Sequence, residues 1–192
     1  MSDPARTRWD ERYAEGDWED LSAPAEIVTD ALSSLPPSGL ALDVACGAGR
    51  NAAFLAERGW RVAAVDLSLE GLRRLAARTR PQNLPVLPVL ADVGCFDVRP
   101  GTVDLVVNTY FLLRSAFPFL RTALRTGGIV VFETFSVIEL EELGGDIRRE
   151  FTLERGELLR AFSDFDVLFH EEGVFEREGG EQGLARLIAR KR

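Results

Sequence analysis

Three aspartates and a pair of glycines have the residue types and spacing of a ligand-binding site. Asp43 precedes a small-residue turn that contains Gly47 and Gly49, while Asp66 and Asp92 each close a later apolar run. Glycine lets the backbone approach a ligand closely, because no Cβ stands in the way. A carboxylate at the end of a second strand is placed to accept hydrogen bonds from ribose hydroxyls. The pattern therefore predicts a site for a cofactor that contains a nucleoside.

A βαβ unit over residues 40–68 is predicted to position these groups. An apolar run of strand length, 40–44, leads into the turn, and a second run, 61–65, ends at Asp66. Between them, apolar residues recur at helical spacing, and Gly59 follows where a helix end favours a left-handed residue. A glycine turn after the first strand and an acid after the second are typical of nucleotide-binding βαβ units.

The turn alone does not decide which nucleoside cofactor the site takes. Gly47, Gly49 and Ala52 fit the loose G-x-G-x-x-G/A fingerprint of dinucleotide enzymes. Asp43 is poorly placed beside a pyrophosphate, however, and its negative charge suits a cationic ligand group. Asp92 adds a further acid after the third apolar run, where an adenine edge can be bound. Three acids around one cofactor favour a positively charged amino-acid nucleoside over a diphosphate.

The stretch 43–49, Asp66 and the pair Ala91-Asp92 resemble the motifs of class I S-adenosylmethionine-dependent methyltransferases. Within that superfamily, 47–51 and 65–68 are most similar to the small-molecule group near the tellurite-resistance and thiopurine methyltransferases. The resemblance runs from about Trp9 to the C-terminus and implies methyl transfer from S-adenosylmethionine to a small-molecule acceptor. One departure is Ala45, which stands where the family has its first turn glycine. We expect this alanine to keep a negative φ.

The resemblance implies cofactor contacts from the turn and from the ends of the second, third and fourth strands. These are Asp43, Ala45, Cys46, Gly47, Gly49, Arg50, Asn51, Asp66, Leu67, Ser68, Ala91, Asp92, Val93, Asn108 and Phe111. Ligands of open α/β sheets bind at the carboxyl ends of strands, at the switch point between the first and fourth. The end of the fourth strand, with Asn108, Tyr110 and Phe111, should therefore face the cofactor or the acceptor.

The N-terminal segment contains two further candidates for acceptor binding, Trp9 and Tyr13. Four residues apart on a helix, these aromatic side chains project from one face. The segment is either a helix packed on the core or a lid, formed by residues 1–20, over the cofactor. Arg114 is a candidate for orienting an anionic acceptor, and a solvated arginine at a helix start is the alternative.

Few groups in the chain can act as a general base. A sulfonium methyl is already a strong electrophile, so the protein mainly has to hold an acceptor in line with it. The single histidine, His170, lies inside the penultimate predicted strand, where a structural role is favoured. Catalytic residues are left unassigned. Cys46 and Cys95 lack metal-ligand spacing, and no metal site is predicted.

Composition restricts the partners. The 192 residues are 46% hydrophobic, which fits a single domain over 1–192. A net charge of −8 argues against a nucleic-acid substrate. No run of apolar residues is long enough to span a membrane, and the polar N-terminus lacks a signal-peptide core. We therefore expect a cytoplasmic protein with reduced thiols and no membrane partner.

The resemblance implies a Rossmann-like α/β fold, with a seven-stranded sheet in order 3-2-1-4-5-7-6 and an antiparallel strand 7. Pro88 suggests that the third strand lies at an edge. A C-terminal hairpin is predicted from extended runs at 165–176 and 183–191, and helices are predicted over 24–35 and 154–162. The alternatives are an NAD-binding oxidoreductase, disfavoured by the hairpin, and a non-catalytic module that kept the cofactor fold.

Overall fold

The computed structural model describes residues 4–16, 23–177 and 179–192. Their strands are β1 (Leu40–Val44), β2 (Arg61–Asp66), β3 (Val86–Leu90), β4 (Val103–Thr109), β5 (Leu124–Phe135), β6 (Phe165–Arg177) and β7 (Gly180–Lys191). They form one sheet in order β3-β2-β1-β4-β5-β7-β6. β1 to β5 are parallel, and β7 runs antiparallel to both of its neighbours. The predicted strand order and the edge position of β3 are confirmed.

The helices that the structure describes are mostly short. They are α1 (Pro4–Glu15), α2 (Glu26–Asp30), α3 (Arg50–Ala56), α4 (Leu69–Thr79), α5 (Phe117–Ala123), α6 (Val137–Glu141) and α7 (Glu157–Ala161). In the described part of the chain, none of them combines the length and the apolar character needed to cross a bilayer.

Two helices are shorter than the sequence predicted. The helix expected over 24–35 gives way after α2 to a 3-10 turn, Ala31–Ser34, which tightens the chain ahead of the following prolines. The helix expected over 154–162 begins only at Glu157, because Gly156 has a φ of +67° that a helix interior excludes.

The C-terminal hairpin is tighter than predicted. β7 begins at Gly180, so that Glu181 and Gln182 lie in the strand, where Gln182 pairs with Phe175. β5 likewise begins at Leu124, five residues before the predicted start at Ile129. The early start of β7 brings Gln182 to the carboxyl end of the sheet.

The core has two layers, one on each side of the sheet. On one face, Leu42 and Phe132 pack with Leu120 and with Phe162, which directly follows α7. On the other face, α2, α3 and α4 cover a second cluster that includes Leu105. Because the central strands are buried on both sides, their carboxyl ends are held at one rigid edge.

Candidate cofactor and acceptor site

The turn between β1 and α3 has three residues in the left-handed region. Ala45, Gly47 and Gly49 have φ values of +52°, +54° and +76°. The expectation of a negative φ at Ala45 is therefore wrong. The N–H of Cys46 binds the carbonyl of Val65 at 3.0 Å, so the backbone must reverse at Ala45 while still joined to β2. An alanine can adopt this conformation only with strain.

Space, as well as φ, requires glycine in this turn. A Cβ at Gly47 would clash with the phenol oxygen of Tyr13, and a Cβ at Gly49 would clash with the side chain of Leu75. The turn is thus packed closely between α1 and α4, with Tyr13 and Leu75 filling the space that a Cβ would take.

Asp66 is tied into the turn by both carboxylate oxygens. Oδ2 accepts the N–H of Gly47 at 2.7 Å, and Oδ1 accepts the N–H of Ser68 at 2.7 Å. Burial raises the pKa of Asp66, and these two hydrogen bonds oppose the shift. Because each carboxylate oxygen has two lone pairs, both retain accepting capacity. The contact with ribose hydroxyls remains a prediction that this geometry can accommodate.

Asp43 lies under the turn with 2% of its surface exposed. Burial raises the pKa of Asp43 to about 7, helped by the nearby Asp66 and opposed by the N–H of Ala52 and by Arg50. The carboxylate is therefore only partly ionised near neutral pH. A cationic ligand group beside it would favour the ionised form.

Arg50 and Asn51 open α3 next to the turn. The Asn51 amide accepts the N–H of Ala25 at 2.9 Å and donates to the Thr109 hydroxyl at 2.9 Å, so that it links the turn to β4 and to the start of α2. The Arg50 guanidinium lies 5.5 Å from the centre of the Tyr110 ring. Among the residues described, no carboxylate lies within ion-pair distance of it.

Tyr110 follows β4 in a strained conformation, with φ +56°. Its N–H donates to the carbonyl of Glu133 at 2.8 Å, its hydroxyl donates to Gln182 at 2.9 Å, and its ring contacts Phe135 edge-on at 5.5 Å. Strained non-glycine residues concentrate at functional sites, where surrounding contacts fix them. These contacts hold Tyr110 beside Arg50, at the switch point between β1 and β4.

Asn108 and Phe111 are joined to each other. The Asn108 amide, 1% exposed, donates to the carbonyl of Phe111 at 2.7 Å. The amide therefore shapes the backbone after β4, and the predicted cofactor contact of these two residues stays a prediction.

A buried ion network below Tyr110 was missed by the sequence analysis. Glu133, 1% exposed, binds Arg186 at 3.0 Å and Arg177 at 3.3 Å. Arg177 also pairs with Glu26 at 2.9 Å, and Arg186 pairs with Asp30 at 2.8 Å. Burial raises the pKa of Glu133, against the effect of the two arginines. These groups come from β5, β6, β7 and α2, so only tertiary packing brings them together, and no local sequence motif carries that information.

The structure argues against the predicted role of Arg114. All three of its guanidinium nitrogens are engaged, by the Glu157 carboxylate at 2.7 and 2.8 Å and by the carbonyls of Glu150 and Thr152 at 3.1 and 2.8 Å. The side chain joins the start of α5 to the segment before α7. These bonds use four of the five guanidinium N–H groups, so the side chain links these two segments and has one N–H left for an acceptor.

The remaining candidates lie after β3, on β6 and in the turn after β1. Asp92 is exposed, and its carboxylate accepts the N–H of Gly94 at 2.8 Å, next to Ala91 and the buried Val93. His170 lies on β6 at 3.3 Å from Glu172, in keeping with a structural role. Burial raises the pKa of the Cys46 thiol, which therefore stays protonated.

α1 brings Tyr13 to the turn. Trp9 and Tyr13 share a face of the helix, with ring centres 6.2 Å apart, and the Tyr13 ring lies against Gly47 and Gly71. Burial and the charge of Asp66 raise the pKa of Tyr13, so the phenol is a hydrogen-bond donor at neutral pH. One end of the sheet is lined by Asp66, Tyr13 and the turn between β1 and α3. Tyr110 lies beyond that turn.

The strand order, the antiparallel β7 and the position of this site define the class I methyltransferase fold. The sequence agrees: residues 41–128 match a family model described as a methyltransferase domain. Residues 41–128 are thus similar to a methyltransferase domain, and the chain has the fold of class I methyltransferases.

Two curated relatives of the chain are named as methyltransferases. The chain is 34% identical over 105 residues to malonyl-[acyl-carrier protein] O-methyltransferase of Salmonella typhimurium, covering 53% of this chain and 41% of that protein. It is 24% identical over 179 residues to the probable S-adenosyl-L-methionine-dependent methyltransferase TehB of Haemophilus influenzae, covering 86% and 61%. The chain thus spans about half the length of these curated relatives.

Solved structures share the whole architecture. The crystal structure of TehB from Haemophilus influenzae aligns with a TM-score of 0.79 at 23% identity, over 95% of this chain and 67% of that one. A Burkholderia thailandensis 1,6-didemethyltoxoflavin-N1-methyltransferase, solved with S-adenosylhomocysteine, aligns with a TM-score of 0.75 at 18% identity, over 100% and 91%. At these identities the likeness establishes the fold.

Proposed function

We propose that this protein is an S-adenosylmethionine-dependent methyltransferase that acts on a small-molecule acceptor. The observation that carries the proposal is the pair of buried acids, Asp43 and Asp66, on either side of the glycine turn. When bound, the cofactor supplies an electrophilic sulfonium methyl group. The residues of the chain bind it, orient the acceptor and exclude water.

Each element of the site has a separate task in this proposal. Gly47 and Gly49 give the turn its left-handed backbone and let it pack closely against Tyr13 and Leu75. Asp66 accepts hydrogen bonds from the ribose hydroxyls. Asp43 offsets the charge of the ammonium group, and Asp92, exposed at the end of β3, binds the adenine edge.

Tyr110 and Arg50 form the acceptor side. Tyr110 is fixed by its hydrogen bonds to Gln182 and to the Glu133 carbonyl, and it carries the Arg50 guanidinium on its ring. Because no carboxylate among the described residues forms an ion pair with Arg50, an acceptor with negative charge suits this side. A thiolate, selenol or small oxyanion needs no general base, which fits the resemblance to the tellurite-resistance and thiopurine groups.

Two other functions are less well supported. An NAD-binding oxidoreductase would place a diphosphate beside two buried acids, which costs electrostatic free energy. A module without turnover would keep the turn and the acids, but it would not need a strained Tyr110 held beside them.

The extent and location of the protein belong to the same proposal. We infer one domain over 1–192, with residues 1–20 as a lid; of these, 1–3 and 17–20 lie outside the described residues. Cys46 and Cys95 are unpaired, which supports a reducing, cytoplasmic location. The net charge of −8 supports the absence of a nucleic-acid partner.

Calorimetry with S-adenosylhomocysteine and, separately, with NAD tests the cofactor. We expect S-adenosylhomocysteine to bind and NAD not to; micromolar NAD binding without a response to S-adenosylhomocysteine would refute the proposal. A screen of thiols, selenite, tellurite and small oxyanions with S-adenosylmethionine, scored by release of S-adenosylhomocysteine, then identifies the acceptor.

A further inference from the structure

One carboxylate of α1, that of Asp10, binds the start of α4. Asp10 Oδ1 accepts the hydroxyl proton of Ser68 at 2.7 Å and the N–H of Glu70 at 3.0 Å. The Ser68 hydroxyl in turn accepts the N–H of Gly71 at 3.0 Å. Asp10 therefore completes the N-terminal cap of α4, where a negative charge is favoured by the free N–H groups.

One turn along the same helix, Tyr13 makes the second contact. Its ring fits against Gly71, where a Cβ would lie 3.2 Å from both the Tyr13 ring and the Gly47 backbone. The absence of a side chain at Gly71 thus creates the seat for the ring. Asp10 and Tyr13 together fix α1 across the turn that forms the proposed cofactor site.

The docking of α1 depends on these contacts more than on a hydrophobic core. Over its described residues, α1 has no buried side chain. A helix without a buried apolar face gains little free energy from packing, since hydrophobic stabilisation follows the apolar area removed from water. The polar contacts that Asp10 makes with α4 therefore contribute to its attachment.

We propose that Asp10 is a positioning residue that docks α1 over the cofactor site, and that its bonds to Ser68 and Glu70 set how fast the cofactor enters and leaves. The inference rests on the proposed function for its ligand. Asp10 touches neither cofactor nor acceptor in this account; it acts through Tyr13 and the position of the helix. The docked helix covers the turn, and undocking opens a path to it.

The test compares Asp10→Ala with Glu11→Gln. Both variants remove one negative charge from α1, but Glu11 is exposed and no described residue pairs with it. Surface plasmon resonance measures association and dissociation of S-adenosylhomocysteine, and hydrogen exchange measures protection of residues 4–16 without ligand. Asp10→Asn, which keeps one acceptor oxygen, should give intermediate values.

For Asp10→Ala we expect dissociation to be about 5- to 20-fold faster and association also faster, because two hydrogen bonds to a charged group are lost. Protection of residues 4–16 should fall by a similar factor, while Glu11→Gln matches wild type. Rates and protection equal to those of Glu11→Gln would overturn the inference. Should S-adenosylhomocysteine fail to bind wild type, the proposed function falls. The exchange comparison would then still decide whether Asp10 docks α1.

Discussion

Ala45 is the residue at which sequence and backbone conformation conflict most directly. With φ at +52°, an L-residue carries strain of about 1–2 kcal/mol. Ala45→Gly removes that strain. The larger conformational entropy of glycine in the unfolded chain opposes this gain by about 0.5–1 kcal/mol. We expect a net gain of about 0.5–1 kcal/mol in the free energy of unfolding, measured by urea denaturation.

Ala48→Gly is the matched control, because Ala48 lies in the same turn without a positive φ. It should lose about 0.5–1 kcal/mol, since it adds chain entropy to the unfolded state and relieves no strain. If both variants are destabilised equally, Ala45 is not strained.

Asp66 is the residue on which cofactor affinity should depend most. Removing a charged hydrogen-bond acceptor costs about 1.5–3 kcal/mol of binding. Asp66→Ala should therefore weaken S-adenosylhomocysteine by roughly 10- to 100-fold in calorimetry, with the fold retained by circular dichroism. Asp146→Ala, which removes an exposed carboxylate, is the control. Unchanged affinity in folded Asp66→Ala would show that this acid serves only the turn.

Asp43 should make binding depend on pH. Burial holds the pKa of its carboxyl at about 7, so the protonated form dominates below that pH. A cationic ligand group prefers the ionised form, and affinity should therefore rise with pH through about 7 and then level off, by up to about tenfold per pH unit on the acid side. Asp43→Asn should bind more weakly and with a flat profile. An equal slope in that variant would assign the titration to another group.

At the scale of single residues, the sequence predicted the groups that lie within one motif and missed those that depend on pairing. Asp43, Gly47, Gly49 and Asp66 are set by one βαβ unit, so their spacing along the chain fixes their spacing in the fold. Glu133 and its arginine partners meet only because the β6–β7 hairpin returns beside β5. Gln182 was assigned to a loop and instead reaches Tyr110 from a strand.

At the scale of elements, α1 is where ligand binding should be most visible. Its contacts with Asp66 and the turn are made by half-buried side chains, so the helix is only weakly held. We expect hydrogen exchange over residues 4–16 to slow when S-adenosylhomocysteine is added, because a filled site gives Tyr13 and Trp9 more surface to cover. Peptides from β4, in the core, serve as the internal reference. Equal exchange with and without ligand would leave α1 as a packing helix.

The errors in element boundaries have local causes. Gly156 shortened α7, because its positive φ ends any helix that tries to pass through it. The start of β7 was placed three residues late, since Gly180 to Gly183 has the composition of a turn and pairs only because β6 lies beside it. At the start of β7, pairing with β6 therefore overrode the local preference for a turn.

At the scale of the whole molecule, the sheet order was predictable because the resemblance to class I methyltransferases implies it. The sequence itself indicated an edge β3 through Pro88 and a C-terminal hairpin, and in the structure the last strand of that hairpin lies next to β5. Insertion buries β7 between two strands and leaves β6, with its many acidic residues, at the edge. Charged edge strands resist pairing with other chains.

The same architecture predicts how the whole chain responds to its ligand. The proposed site is built from the ends of β1, β2 and β4, so cofactor binding stabilises the central sheet against unfolding. At a ligand concentration of about 100 times Kd, stability should rise by about 2.7 kcal/mol. For a chain of this size the melting temperature should then rise by roughly 5–10 °C. Differential scanning fluorimetry with S-adenosylhomocysteine measures it. Asp66→Ala should need roughly 10- to 100-fold more ligand for an equal shift, and NAD should give none. An equal shift with NAD would mean that the turn selects a nucleoside without regard to the buried acids.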